Sequence, residues 1–217
     1  NAELLPNCNL IAMTMPSPDV EGQRGLNGQA AACIELGWDG QVVWEYNDPW
    51  IHHDFKRLPN GNTLIIKWEP LPKRLIRKIK GGYLDKDDDP GKMLGDVVLE
   101  LKPDNSVVRR WQSWDHLDPA IDVICPLDDR REWSHANSID ITPKGNWLIS
   151  FRRISTVIQV VPRTGRIRWR FHNEEVRHQH DARFTSPTTI TMFDNGVHRR
   201  GIEYSRAIEI DTRTRKV

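Results

Sequence analysis

Residues 57–66 read RLPNGNTLII, and residues 141–150 read ITPKGNWLIS. In both, a proline fixes φ, a glycine accepts positive φ, and apolar residues follow. That is the local chemistry of two antiparallel strands joined by a tight turn. Residues 4–13, LLPNCNLIAM, are a third copy in which Cys8 stands where the others have glycine. A side chain there would be strained, so this first turn is expected to differ from the other two. Residues 183–196, RFTSPTTITMFDNG, are a fourth, degenerate copy.

A second hairpin pattern alternates with the first. It reads ELGWDGQVVWEY at 35–46, ELKPDNSVVRRW at 100–111, QVVPRTGRIRWRF at 159–171 and EIDTRTRKV at 209–217. Two hairpins make a four-stranded antiparallel sheet, and tandem sheets of this kind are propeller blades. The expected fold class is therefore all-β, a β-propeller of four-stranded blades. A β-sandwich of short strands is disfavoured, because sandwiches need no internal repeat. About four blades are represented over residues 1–217, and rings close with roughly four to eight, so a fragment of a longer ring is expected. Nine tryptophans are spread along the chain, with Trp44, Trp111 and Trp169 each closing a strand-like run. Core packing accounts for most of them.

Residues 70–93, PLPKRLIRKIKGGYLDKDDDPGKM, break the repeat. They read as an inserted loop with a short amphipathic turn, or as a docking surface for a protein partner. Asp85, Asp87 and Asp89 before Gly91 resemble a calcium loop, but its liganding Glu is missing.

Thirty-one basic and 30 acidic residues leave a net charge of +1, which gives no field to attract a polyanion, so no nucleic-acid partner is expected. No apolar run is long enough to span a membrane. No signal peptide is seen, and the first residue is Asn1, so the natural N-terminus is expected to be missing. Cys8, Cys33 and Cys125 form no CxxC pair; three buried thiols are expected over one disulfide and a free thiol.

The histidines fall between the two hairpin types. His52, His53 and Asp54 precede the turn at Gly61, His135 and Asn137 the turn at Gly145, and His178, His180 and Asp181 the degenerate turn. Counting back from the turns puts His53, Asn137 and His180 in one equivalent position, with His135 two residues earlier on the same strand face. Blades related by rotation would direct these side chains to one axial channel. The competing reading is structural, with Asp54 and Asp181 tying their histidines down.

The strings HHDFKRLPNGNTLI, HANSIDITPKGNWLISFR, TGRIRWRF, HQHDARF and FDNG, in that order, resemble the bacterial arylsulfate sulfotransferases from about Gly37 onward. The resemblance implies a six-bladed propeller that moves a sulfuryl group from a phenolic sulfate ester to a phenol. It implies no nucleotide donor or other cofactor, and a periplasmic or secreted location. Its H-x-N motif matches His135 and Asn137, and its Ser-x-Arg motif matches Ser150 and Arg152. Arg153 is expected to point to the other face. The histidine that takes the sulfuryl group covalently matches His180, and an earlier blade's histidine matches His53, with His52 as second choice.

On that reading Arg152 offers forked donors to sulfate oxygens. His135 and Asn137 hydrogen-bond the remaining oxygens, and His53 handles the proton of the departing or accepting phenol. Two other readings stay open: a propeller without chemistry that serves as a scaffold, and a metal or quinone site. HHD and HQHD suit zinc or copper, but no spacing is diagnostic, so no metal ligand is assigned.

Overall fold

The structure is a computed structural model that describes residues 1–15, 23, 25–86, 88–172 and 176–217; Asp87, one of the carboxylates of the calcium-like loop, lies outside them. Each Pro-x-Gly/Cys turn closes the first hairpin of a sheet, and each Asp/Asn/Gly turn closes the second. The first sheet, in order, is β1 (Ala2–Leu4), β2 (Leu10–Met13), β3 (Ala32–Leu36) and β4 (Val42–Asn47). The second contains β5 (Ile51–Arg57) and β6 (Thr63–Pro70). After α1 (Lys73–Ile76) and β7 (Gly81–Tyr83) it continues with β8 (Leu94–Leu101) and β9 (Val107–Gln112). β10 (Ile124–Asp129) pairs in parallel with β7.

The third sheet is β11 (Ala136–Ile141), β12 (Trp147–Phe151), β13 (Thr156–Val160) and β14 (Ile167–His172). The last has three strands, β15 (His180–Phe184), β16 (Thr189–Asp194) and β17 (Arg206–Asp211). The fold class is all-β, a β-propeller built of antiparallel blades. Among the described residues no helix is long and apolar enough to cross a membrane.

By its contacts the chain forms two compact units. Unit 1 is Asn1–Trp68 with Val97–Arg110, and unit 2 is Glu69–Asp96 with Trp111–Val217. In unit 2 every residue of β12 and β13 is buried. Strands covered on both faces read as unbroken apolar runs, as WLISF does, whereas β14 lies in a blade's outer position and reads as IRWRFH. The third and last blades share an apolar core that includes Leu148, Val157, Phe171, Ala182, Ile190 and Ile210.

The tryptophans of the outer strands do more than fill space. Trp111 Nε1 donates to Gly165 O at 3.0 Å, and Trp169 Nε1 donates to Thr212 O at 2.8 Å. In each case the fourth strand of one blade ties to the outer turn of the next.

The first turn does not differ from its copies. Leu5 N–H donates to Asn9 O and Cys8 N–H to Leu5 O, as Leu58 and Gly61 do around Asn62, and Thr142 and Gly145 around Asn146. Cys8 takes φ 66, beside 85 at Gly61 and 75 at Gly145, so the hairpin imposes its geometry on an unfavourable residue. Cys8→Gly is therefore expected to raise stability by about 0.5–1 kcal/mol, the left-handed penalty removed less the entropy glycine adds to the unfolded chain. Urea unfolding reads the change, and a stability loss would mean that Cys8 makes a contact worth more than its strain.

Placing Cys8 at a turn tip also corrects the expectation of three buried thiols. Cys8 is exposed, Cys33 buried and Cys125 half-buried, and all three are free. Burial pushes the Cys33 thiol up to about 12.

Candidate functional site

The first strand of each later blade begins irregularly. Pairing shifts between Ile51 and Phe55 in β5, between Ala136 and Ser138 in β11, and between His180 and Arg183 in β15. Non-glycine residues with positive φ sit within two of these irregularities, His53 (φ 56) and Asp181 (φ 54), and directly before the third, His135 (φ 57). Bulges re-aim side chains, and strained backbone gathers at functional sites. His53, Asn137 and His180 precede by one constant interval the residues that open their turns, Leu58, Thr142 and Thr185.

Unit 2 holds His135, Asn137, Ser150, Arg152 and His180. His135 is 4% exposed, and its Nδ1 stands 2.9 and 3.0 Å from the two carboxylate oxygens of Glu132. An ionised carboxylate only accepts, so Nδ1 carries a proton. Glu132 is itself held by Arg153, whose guanidinium also grips Asp129 at 3.0 Å through each of two nitrogens. Burial works against the Arg153 charge, yet Glu132 and Asp129 raise its pKa above the usual value.

β12 ends at Phe151, both arginines lie in the following turn, and they take neighbouring carboxylates. Arg152 Nη1 is 3.3 Å from Asp128 Oδ1, and its backbone N–H donates to His135 O at 2.9 Å.

Asn137 Nδ2 donates to Gln179 O at 2.7 Å, and Gln179 Nε2 donates to Ser150 Oγ at 3.0 Å. Asn137 and Ser150 thus fix the peptide that precedes His180. The backbone of β15 is further pinned to β11, because Ala182 N–H donates to Ser138 Oγ and Phe184 N–H to Asp140 Oδ2, each at 3.0 Å.

His180 Nδ1 is 3.0 Å from His178 O and 2.7 Å from Asn195 Oδ1. The carbonyl can only accept, so the proton resides on Nδ1 and Nε2 is left with the lone pair. Burial pulls the pKa of His180 below the ordinary imidazole value. Its two acceptors oppose the shift, while the charges of His135 and Arg152 add to it. The result is a neutral imidazole electrostatically coupled to both groups.

Asp128 also adjoins His178. Burial alone would raise its pKa, but the His178 imidazole, Arg152 and Arg153 bring it down to about 2.

His53 belongs to unit 1. Its N–H donates to Gly28 O at 2.7 Å, and a Cβ on Gly28 would fall 2.2 Å from its imidazole. His52 is fully buried, stacked on Trp68 with ring centroids 3.9 Å apart, and its Nδ1 is 2.8 Å from His53 Nδ1. Asp54 accepts from Phe55 N–H and from the Asn1 side chain, and Asp181 pairs with Arg183.

Four contributors were not read from the sequence as site residues: Asp128, Glu132, Arg153 and Asn195. Glu132 stands three positions before His135 in REWSHAN, a spacing that could have signalled it. Asn195 lies inside FDNG, where Asp194 is fully buried and binds Arg199 and Arg206, and a Cβ on Gly196 would strike Tyr204 O. The motif is a rigid clamp that presents the Asn195 amide to His180.

A family model described as Arylsulfotransferase (ASST) matches residues 34–217. No curated protein matches the chain. Among solved structures it is similar to the hydrazine synthase of Kuenenia stuttgartiensis, at 12% identity and a TM-score of 0.56, covering 97% of this chain and 58% of that one. It is also similar to the PQQ-bound aldose sugar dehydrogenase of Streptomyces coelicolor, at 10% identity and a TM-score of 0.54, covering 96% of this chain and 60% of that one. At such identities the likeness is one of fold.

Proposed function

We propose, since the chain belongs to the arylsulfotransferase (ASST) family, that it moves a sulfuryl group from an aryl sulfate ester to a phenol through a covalent intermediate on His180. The observation that carries this reading is the pair of acceptors on His180 Nδ1, which turns the lone pair of a neutral imidazole onto Nε2. Nε2 attacks sulfur, the bond from sulfur to the aryl oxygen breaks, and its electron pair leaves on the phenolate. In the second half an acceptor phenol passes its proton, directly or through water, to the phenolate released in the first half, its oxygen attacks sulfur, and the N–S pair returns to Nε2.

Charge spreads over the equatorial oxygens in such transfers, and fixed donors stabilise it. Arg152 is the permanent cation for that task. Asp128 takes one of its nitrogens at 3.3 Å, so among the described residues other donors of the fork remain for sulfate oxygens. His135, with its proton fixed on Nδ1, would contact a sulfate oxygen through Nε2 only in its protonated form. Asn137 acts mainly by holding the Gln179–His180 peptide. A periplasmic or secreted location is carried over from the family resemblance.

Steady-state kinetics with 4-nitrophenyl sulfate and a phenol test the scheme: double-reciprocal lines should be parallel as acceptor is varied, and intersecting lines would favour direct transfer.

A further inference from the structure

A second cluster in unit 2 adjoins the transfer site through Asp128 and His178 but supplies no group that touches the sulfuryl group in the scheme above. β10 carries Cys125 and Asp128, the segment before β15 carries His178, and the segment before β17 carries His198. One ligand atom from each of the four lies within 4.8 Å of those of the others. Cys125 Sγ is 3.4 Å from His198 Nδ1, His178 Nε2 is 3.2 Å from Asp128 Oδ2, and His198 Nδ1 is 4.0 Å from Asp128 Oδ1. Zinc bonds of about 2.0–2.3 Å to N, O and S set tetrahedral edges of about 3.3–3.6 Å. The Cys125–His198 and His178–Asp128 separations lie within about 0.1 Å of that range, while the 4.0 Å separation is measured to the other oxygen of Asp128.

We propose that Cys125, Asp128, His178 and His198 form a four-coordinate zinc site. His178 is fully buried, yet neither of its ring nitrogens has a hydrogen-bond partner among the described residues. Its Nε2 faces Asp128 Oδ2, which likewise has none. A buried imidazole and carboxylate within reach of each other but out of hydrogen-bonding alignment are costly as they stand. One cation would satisfy His178 Nε2 and Asp128 Oδ2 together, leaving His178 Nδ1 as the second ring nitrogen. The donor set of one thiolate, two imidazoles and one carboxylate suits zinc. Arg152 holds Asp128 Oδ1, which leaves Oδ2 for the metal and orients the carboxylate from outside. Four protein ligands fill a tetrahedron, so the ion is structural, and zinc uptake displaces the proton of the Cys125 thiol. Its effect on catalysis is indirect, because it fixes His178, whose carbonyl accepts from His180 Nδ1.

The site is tested with Zn²⁺ and Co²⁺ on purified protein stripped by chelator. The expected results are one tightly held Zn²⁺ per chain and, with Co²⁺, intense visible bands of tetrahedral geometry with a thiolate charge-transfer band in the near ultraviolet. Cys125→Ser should lose the charge-transfer band, and His198→Ala, at a half-exposed position, should weaken zinc affinity at least about tenfold. Zinc should also shield Cys125, but not exposed Cys8, from alkylation, a readout that needs no variant. Sub-stoichiometric zinc after equilibration, octahedral cobalt spectra, or alkylation of Cys125 at the same rate with and without zinc would overturn the proposal.

Discussion

His180→Ala is expected to lower kcat for sulfuryl transfer by at least about a thousandfold, with the circular dichroism spectrum unchanged. Loss of a covalent nucleophile removes the intermediate altogether, and what remains is the catalysis supplied by binding and fixed charge. His180 opens β15 at a bulge and is only partly buried, so truncation there should not unfold the blade. Asn195→Ala provides the graded comparison. It removes one of two acceptors on Nδ1 and leaves His178 O in place, so the cost is that of one hydrogen bond, about tenfold. If His180→Ala and Asn195→Ala cost the same small factor, His180 is not the nucleophile, and the clamp around it serves only the fold.

Arg153→Met is expected to lower the unfolding free energy by about 3–5 kcal/mol. The guanidinium is 5% exposed and holds both Asp129 and Glu132, and Glu132 is 1% exposed. Removing one member of a buried ion network strands the others, and that penalty exceeds the net worth of the pair. Adding Glu132→Gln to the same chain should return part of the loss, since the stranded charge disappears while its hydrogen-bonding shape is kept. Urea unfolding of the single and double variants measures this. A loss below about 1 kcal/mol for Arg153→Met would mean that the carboxylates reach water when the arginine is gone.

The blade pattern was legible because it is written twice over. The Pro-x-Gly turns and the Asp/Asn/Gly turns each carry their own backbone requirement, and the two alternate. The structure shows how strongly the frame acts, since Cys8 is driven to φ 66 in a turn whose copies use glycine. The tryptophan ties between successive blades were read only as core packing, because a side-chain donor reaching the next repeat's turn leaves no periodic mark.

At the site, the position of His180 could be found by counting from a turn, but its tautomer could not. That depends on Asn195, which arrives from the far end of β16, and on the carbonyl of His178. That Arg152 and Arg153 lie beyond the strand, which stops at Phe151, was not legible either. The REWSHAN glutamate, Glu132, was passed over because a lone acidic residue before a strand usually faces water, whereas here Arg153 draws it inside. The metal-ligating group was invisible for a related reason: HQHD supplies only His178, while Cys125, Asp128 and His198 lie on separate segments with no diagnostic spacing.

The central claim is that His180 Nε2 becomes bonded to sulfur during turnover. Incubation with 4-nitrophenyl sulfate and no acceptor, followed by rapid denaturation and peptide mapping by mass spectrometry, tests it directly. The account predicts one sulfuryl group on the peptide that contains His180, formed together with one burst equivalent of 4-nitrophenolate and discharged when phenol is added. A burst with the label on another residue, or turnover with no labelled peptide at all, would contradict it.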